Sequence, residues 1–418
     1  MRIWLTFTLR EAISAQGKCM AIQPRTGNTA MLPVKNLRIT FWGVRGSCPI
    51  FPAPHEVEEF TRQISVLSVF QTLQDIARKS EAAGGKIDVE QIIGGPLTQT
   101  TVDAYQKKLG QPDLPIYGGE TTCIEIETGE GNIIILDAGS GIRHSALRLA
   151  KRWASREDRV LHLFCSHEHL DHRSGIAFSR FCFGKPPFNI NVYGSGQMLR
   201  ALDTLFGIFS RDISQTTHFD DPLDYRLMSA KFNGFELRDA AREPGPKRPW
   251  NTLDIAQPVK IGKTTVTAFE VYHGNCTCLA YKIEHEGSSF VFCTDHERRH
   301  GEDPNDPRQK RSMEAEERLI EQCMNVDAAY FDGQYFLAEY LGQKGIGSAP
   351  PTPRMDWGHS CIEDIIVRVQ RCRIRNTFIG HHDPDREWPE QVQMDRDLEA
   401  LGKSFRVQLA RGDFTIDI

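Results

Sequence analysis

From residue 37 onward, short apolar runs rich in β-branched residues break off abruptly into polar ones, and this repetition constrains the fold more than any other feature. "LRITFWGVRGS" opens the series. "GNIIILDAGSG" breaks at Asp137, "RVLHLFCSHEH" at His167, "TTVTAFEVYHG" at His273, and "SSFVFCTDHE" at Thr294, Asp295 and His296. "AAYFDGQY" breaks at Asp332 and "NTFIGHHDP" at His381, His382 and Asp383. Runs this apolar read as strands buried on both faces. Between them, residues 144–155, 312–324 and 360–373 place apolar side chains at helical spacing. Strands alternating with helices predict an α/β fold, in which sites gather at the carboxyl ends of strands. Fourteen histidines scattered at random would not fall at such ends so often.

The densest break is "SHEHLDH". His167 and His169 stand two apart, so an extended backbone points both imidazoles the same way. Asp171 and His172 follow after the chain turns and can face a second point. One cluster with two directions suits two metal ions close together. Imidazole and carboxylate are ordinary zinc ligands, and manganese and iron accept the same mixture. The competing reading is a solvated polar loop. It gives no reason for four metal-capable groups to follow a buried strand.

Charged residues make up 25% of the chain and the net charge is -5, so no overall basic surface invites nucleic acid. No apolar run approaches the roughly 20 residues that cross a bilayer. The eleven cysteines form no C-x-x-C pair, which argues against a disulfide framework or a zinc knuckle and for a reducing cytoplasm. Residues 1–36 read as a poorly organised extension without a signal peptide, with Met31 as an alternative start. Residues 37–418 read as one catalytic domain with insertions at about 50–116 and 211–257. In the first insertion, Phe60, Ile64, Leu67, Phe70, Leu73 and Ala77 would share one face of a helix over 55–80, and a second helix covers 100–109. That long helix is expected to cap the site, to form a homodimer interface, or both.

"SHEHLDH" resembles the H-x-H-x-D-H signature of the metallo-β-lactamase superfamily, and Asp137, His273, Asp295 and His381 follow in that family's order. "FWGVRGSCP", "YGGETTCIEIE", "CTDHE", "DGQY" and "WGHS" look like its phosphodiesterase-like branch, which includes cyclic-nucleotide and cyclic-phosphate phosphodiesterases and tRNA-processing endonucleases. The resemblance implies an αββα sandwich with a helical insertion. It implies two divalent ions, zinc first and manganese or iron as alternatives. His167, His169 and His273 would hold one ion, Asp171, His172 and His381 the other, and Asp295 would bridge them. A hydroxide between the ions would be the nucleophile. Such paired ions, about 3.5–4 Å apart, clamp an in-line displacement at phosphorus. Asp171 and His359 are taken as the catalytic residues.

The resemblance gives Asp137 an orienting role. His359, in "WGHS", would donate a proton to the leaving oxygen or stabilise charge there. Asp332 and Tyr335 would line the same region. His382 would point away beside His381, and His296 would be a loop or supporting residue. Glu168 would face away. Arg45 would support a phosphate or pair with an acid. Glu120, where relatives carry Asn or Asp, has an open role, and Cys361 stands where relatives often have Thr.

The expected function is hydrolysis of a small, cyclic phosphodiester such as a cyclic nucleotide. An RNA or DNA nuclease ranks lower because the first insertion carries nine acids against six bases. A lactam, lactone or thioester hydrolase comes next, and a non-catalytic scaffold or sensor last.

Overall fold

The computed structural model describes residues 34–52, 54–82, 84, 88–110, 115–210, 228–241, 247–401 and 405–418. The expectations for residues 1–33, Met31 included, lie outside these. Seven strands open the chain: β1 (Leu37–Gly43), β2 (Cys123–Thr128), β3 (Ile133–Leu136), β4 (Val160–Phe164), β5 (Asn189–Gly194), β6 (Lys231–Arg238) and β7 (Asn251–Asp254). Seven more build a second sheet: β8 (Val259–Ile261), β9 (Thr264–His273), β10 (Cys276–His285), β11 (Ser288–Cys293), β12 (Ala328–Asp332), β13 (Asn376–Gly380) and β14 (Arg406–Leu409). β15 (Phe414–Asp417) returns to the first sheet and pairs antiparallel with β1. The orders are β15-β1-β2-β3-β4-β5-β6-β7 and β14-β13-β12-β11-β10-β9-β8.

Each sheet has an antiparallel part and a parallel part. β3 to β7 run parallel, as do β11 to β14. The parallel strands explain the near-continuous apolar runs. β3, "IIIL", is buried at all four positions because a sheet face with Ile133 and Ile135 meets helices while the face with Ile134 and Leu136 meets the other sheet.

Three apolar layers follow. The central one joins the sheets, with Ile39, Ile124, Phe164, Tyr281, Phe292 and Phe378 all nearly inaccessible. The outer two lie between a sheet and its helices. Those helices, with the inserted ones, are α1 (Pro54–Ala82), α2 (Val89–Ile93), α3 (Gln99–Leu109), α4 (Ile142–Arg152), α5 (Gly196–Phe206), α6 (Pro307–Cys323), α7 (Ile362–Cys372) and α8 (Trp388–Leu401). α4 and α5 cover the first sheet, and α6, α7 and α8 the second. This is an αββα sandwich.

Helix bounds shift from the expected ones where capping decides them. α6 starts at Pro307, five residues early, because the Asp306 side chain accepts from Arg308 N and Pro307 needs no donor partner in a first turn. α7 begins at Ile362, after Cys361 at its cap position.

Two expectations need correction. The segment 211–257 is not simply an irregular insertion, since β6 and β7 extend the first sheet from it. β6 alternates exposed and buried positions at its start, Lys231, Phe232, Asn233, Gly234, as an edge-ward strand does, so it lacks the continuous apolar run that marked the others. The face expected on α1 is also covered only in its first half, where Phe60, Ile64 and Leu67 are half-buried. Phe70 and Leu73 are 51% and 59% exposed, whereas Asp75 and Ser80 are buried. The reason is a polar anchor. Asp75 takes a hydrogen bond from Tyr105 of α3 and ion-pairs with Arg78 and Lys79. Near its start α1 meets the sandwich through Phe60, edge-on to Trp388 with ring centres 5.6 Å apart.

Candidate metal centre

The carboxyl ends of β3, β4, β11, β12 and β13 deliver the site, and the β9–β10 hairpin delivers one more ligand. His273 ends β9 and pairs with Cys276 across a two-residue turn whose first residue, Gly274, has φ +59°. Asp137, Asp295 and His381 each follow a strand and adopt left-handed backbone, with φ of +59°, +50° and +53°. That conformation is uncommon for residues other than glycine and turns each side chain out of the strand direction. Gly380 permits the last turn: a Cβ there would sit 2.2 Å from the Tyr330 hydroxyl, which instead accepts from His381 N at 2.9 Å.

Four donors surround one point. His273 Nε2 lies 3.2 Å from His169 Nδ1 and 3.7 Å from Asp295 Oδ2, and His167 Nε2 lies 3.5 Å from the same oxygen. Four others surround a second point. His172 Nε2 and His381 Nε2 are 3.3 Å apart, each is 3.2 Å from Asp171 Oδ2, and they stand 3.3 and 3.1 Å from Asp295 Oδ1. The oxygens of Asp295 thus divide between the two groups. Tetrahedral zinc with bonds of 2.0–2.1 Å separates its ligand atoms by roughly 3.3–3.4 Å, which matches this spacing. His167 Nε2 is buried and has no hydrogen-bond partner, as a nitrogen reserved for a metal would be. Only His169 is exposed, so the first group opens to solvent there.

The protonation states suit cations. Burial pushes His167 well down and His273 down to about 4, which keeps both imidazoles neutral. Burial opposes ionisation of Asp171 and Asp295, but the neighbouring histidines outweigh it and hold both carboxyls well below the usual range. His172 goes the other way. Burial disfavours its charge, yet Asp171, Asp295 and Asp137 raise it well above the ordinary value. A divalent ion would displace that proton. The chemistry and spacing of these donors fit two divalent ions.

Supporting contacts fix the rings. Asp137 accepts from Ser166 N at 2.7 Å and Ser166 Oγ at 2.8 Å, and lies 2.8 Å from His172 Nδ1. Taking the Nδ1 proton leaves Nε2 for a metal. Gly358 O lies 3.0 Å from His273 Nδ1, and the Gln334 amide 3.1 Å from His381 Nδ1. Ser47 N donates to Asp171 Oδ2 at 2.9 Å.

His359 stands beside both groups. Its ring stacks on His381 with centres 4.9 Å apart, and its Nδ1 is 3.0 Å from Asp332 Oδ2. Burial opposes its charge, but Asp332 prevails and the pKa rises to about 9. Tyr335 packs edge-on against the same ring at 5.9 Å.

The structure therefore brings together His167, His169, Asp171, His172, His273, Asp295 and His381, with Asp137, Asp332, His359 and Tyr335 around them. Arg45 is the exception. Its guanidinium turns inward to Asp383 O, Gly118 O and Gln391 Oε1, 3.1 to 3.3 Å away, and burial lowers its pKa to about 10. It braces the loop whose Gly46 packs on His381. His382 points away to Ala410 O at 2.9 Å, and His296 to Glu316 at 2.9 Å. Glu120 is occupied by Ser140, His144 and Arg143. Glu168 does not simply face away, because its carboxylate lies beside Cys276, whose Sγ is 3.4 Å from His169 Nε2. Sequence reasoning passed over Gln334, Cys276, Ser166 and Gly358. "DGQY" and "WGHS" held two of these, but single polar residues and glycines carry no metal-ligand pattern of their own.

Among solved structures the chain is similar to a diphosphatase from the PhnP family (13% identity, TM-score 0.47, 91% of this chain and 98% of that one). It is also similar to human tRNase Z, short form (13%, 0.46, 91% and 99%), and to zinc-bound PqqB from Methylobacterium extorquens (12%, 0.48, 91% and 100%). No curated protein matches it. The Beta-lactamase superfamily domain matches residues 132–382, a span that runs from the strand before Asp137 to the residue after His381, and the chain belongs to that superfamily.

Proposed function

We propose that this superfamily member is a binuclear metal-dependent phosphodiester hydrolase acting on a small, cyclic substrate such as a cyclic nucleotide, with zinc as the ion. One observation carries the reading: a two-point donor set sharing Asp295 stands against a His359–Asp332 pair. Such a proton carrier assists expulsion of an alkoxide from phosphorus.

Two bound divalent ions would supply a hydroxide near neutral pH and neutralise phosphate oxygens. The protein's part is positioning and proton control. Asp295 sets the relation of the two groups. Asp137 and Gly358 O orient His172 and His273. His359, engaged by Asp332 at Nδ1, keeps Nε2 as the proton carrier for the leaving oxygen.

The test is a hydrolysis panel on zinc-loaded protein with cyclic nucleotides, bis(p-nitrophenyl) phosphate, a tRNA precursor and a lactam. Cyclic nucleotides should be turned over fastest, and His167→Ala and Asp295→Ala should abolish turnover. Activity surviving both substitutions would remove the two-metal mechanism. Faster cleavage of the tRNA precursor or the lactam would replace the substrate class.

A further inference from the structure

Cys276 and Cys278 are the only cysteines two apart in the chain. On β10 that spacing turns both thiols to one face, and the face meets the H-x-H turn. Cys276 Sγ lies 3.4 Å from His169 Nε2, and Cys278 Sγ 3.8 Å from His167 Nδ1. The backbone fixes this register. Leu279 N donates to Ser166 O at 3.0 Å, and Cys276 pairs with His273 across the hairpin. One hairpin therefore carries a proposed ligand and, opposite it, a thiol behind another.

The two thiols are not equivalent. His167 Nδ1 also has Ser166 Oγ at 3.1 Å, so Cys278 is a second partner there. The rings of His172, His273 and His381 rest on Asp137, Gly358 O and Gln334. For His169 Nε2 the partner among the described residues is Cys276. His169 Nδ1 is the atom turned to the first group, 3.2 Å from His273 Nε2. Behind the thiol stands Glu168, whose carboxylate accepts a hydrogen bond from it. Glu168 is held in turn by Arg173, whose Nε donates to its carbonyl oxygen at 2.6 Å.

We infer that Cys276 is a positioning residue for the first ion: its sulfur receives the Nε2 hydrogen of His169 and leaves Nδ1 to the metal; this rests on the two-metal reading of the site. A neutral imidazole that carries hydrogen on one nitrogen offers a lone pair on the other. His169 is the exposed member of its group, so without the thiol its ring is free to turn and to exchange tautomers in water. A thiol is a weak acceptor as well as a weak donor, and Cys276 uses both capacities, towards His169 and towards Glu168.

The test titrates wild type, Cys276→Ala and Cys276→Ser with zinc against a chromophoric chelator, and records the visible spectrum of each after loading with cobalt(II). Cys276 is half-buried, and a circular dichroism melt checks that both variants fold. Cys276→Ala should lower the affinity of one zinc equivalent about tenfold and leave the other unchanged. Cys276→Ser keeps an acceptor and a donor, and should bind closer to wild type than to the alanine variant. The cobalt spectrum of wild type should lack a thiolate charge-transfer band, and that of Cys276→Ala should differ from it in the d–d bands. Two unchanged affinities in Cys276→Ala, or the same loss in both variants, overturn the brace while leaving the two-metal reading in place. A thiolate band in wild type overturns it too, by making Cys276 a ligand. If wild type binds fewer than two zinc ions, the two-metal reading and the brace fall together.

Discussion

Asp137 Oδ2 lies 2.8 Å from His172 Nδ1, and both side chains are fully buried. An acid that is not itself among the proposed ligands therefore decides which ring nitrogen His172 offers. Asp137→Asn removes the charge that fixes this tautomer, and asparagine still tolerates the left-handed backbone at φ +59°. The fold should survive while affinity for one of two zinc equivalents drops about 10- to 100-fold. Competition titration against a chromophoric chelator reads this directly; two unchanged affinities would count against the role.

Gly358 has φ +92°, and a Cβ there would stand 1.9 Å from His273 Nδ1. Gly358→Ala cannot be accommodated without moving that ring. Elemental analysis should find the metal content reduced from two equivalents towards one. Turnover should fall about 100-fold, the scale expected for a ligand displaced by an ångström. Full metal content with wild-type turnover would contradict the contact.

His359→Gln should lower kcat by about 10²- to 10⁴-fold on a substrate with an alkoxide leaving group, and less on one that releases p-nitrophenolate. Both metal equivalents should remain. Loss of metal in this variant would make His359 a ligand instead of a proton carrier, and equal losses on both substrates would deny it the proton.

Glu316 is buried against Arg368, at 2.6 Å, and His296, at 2.9 Å. Burial alone would raise its pKa, but Arg368 and His296 hold the carboxyl well below its ordinary value of 4.5. A depressed pKa in the folded state means the stabilisation is complete above pH 4.5 and is lost as the pH falls from there towards the folded value. Glu316→Ala strands the Arg368 charge and should cost about 3–5 kcal/mol at pH 7. Urea titrations at pH 7 and pH 4 should show that the variant loses less stability between the two than wild type does. An identical acid loss would separate Glu316 from the effect.

Strand ends were legible because a strand buried on both faces must be apolar throughout, so the switch at Asp137, Asp295 or His381 is abrupt. The residues that the donor groups bring together were legible for the same reason. Arg45 was not, because its residue type suits a phosphate and a buried carbonyl cage equally well, and only the fold shows that Gly118 and Asp383 turn their carbonyls to it. The lie of the second half of α1 escaped for a different reason. Apolar spacing registers no signal from Asp75, yet that buried acid, joined to Tyr105, decides how the helix lies. β6 and β7 were hidden by edge exposure, which dilutes the apolar run.

His381 reaches Asp171 over a sequence separation of 210, and Arg38 reaches Asp417 over one of 379. Each group of donors draws on both sheets, because Asp295 from the second sheet completes each. On a ribosome, the early strands and the His167–His172 turn emerge long before their partners exist. Contacts this distant in sequence form late and slowly. The second group of donors, which waits for His381, therefore cannot be complete until nearly the whole chain has been made.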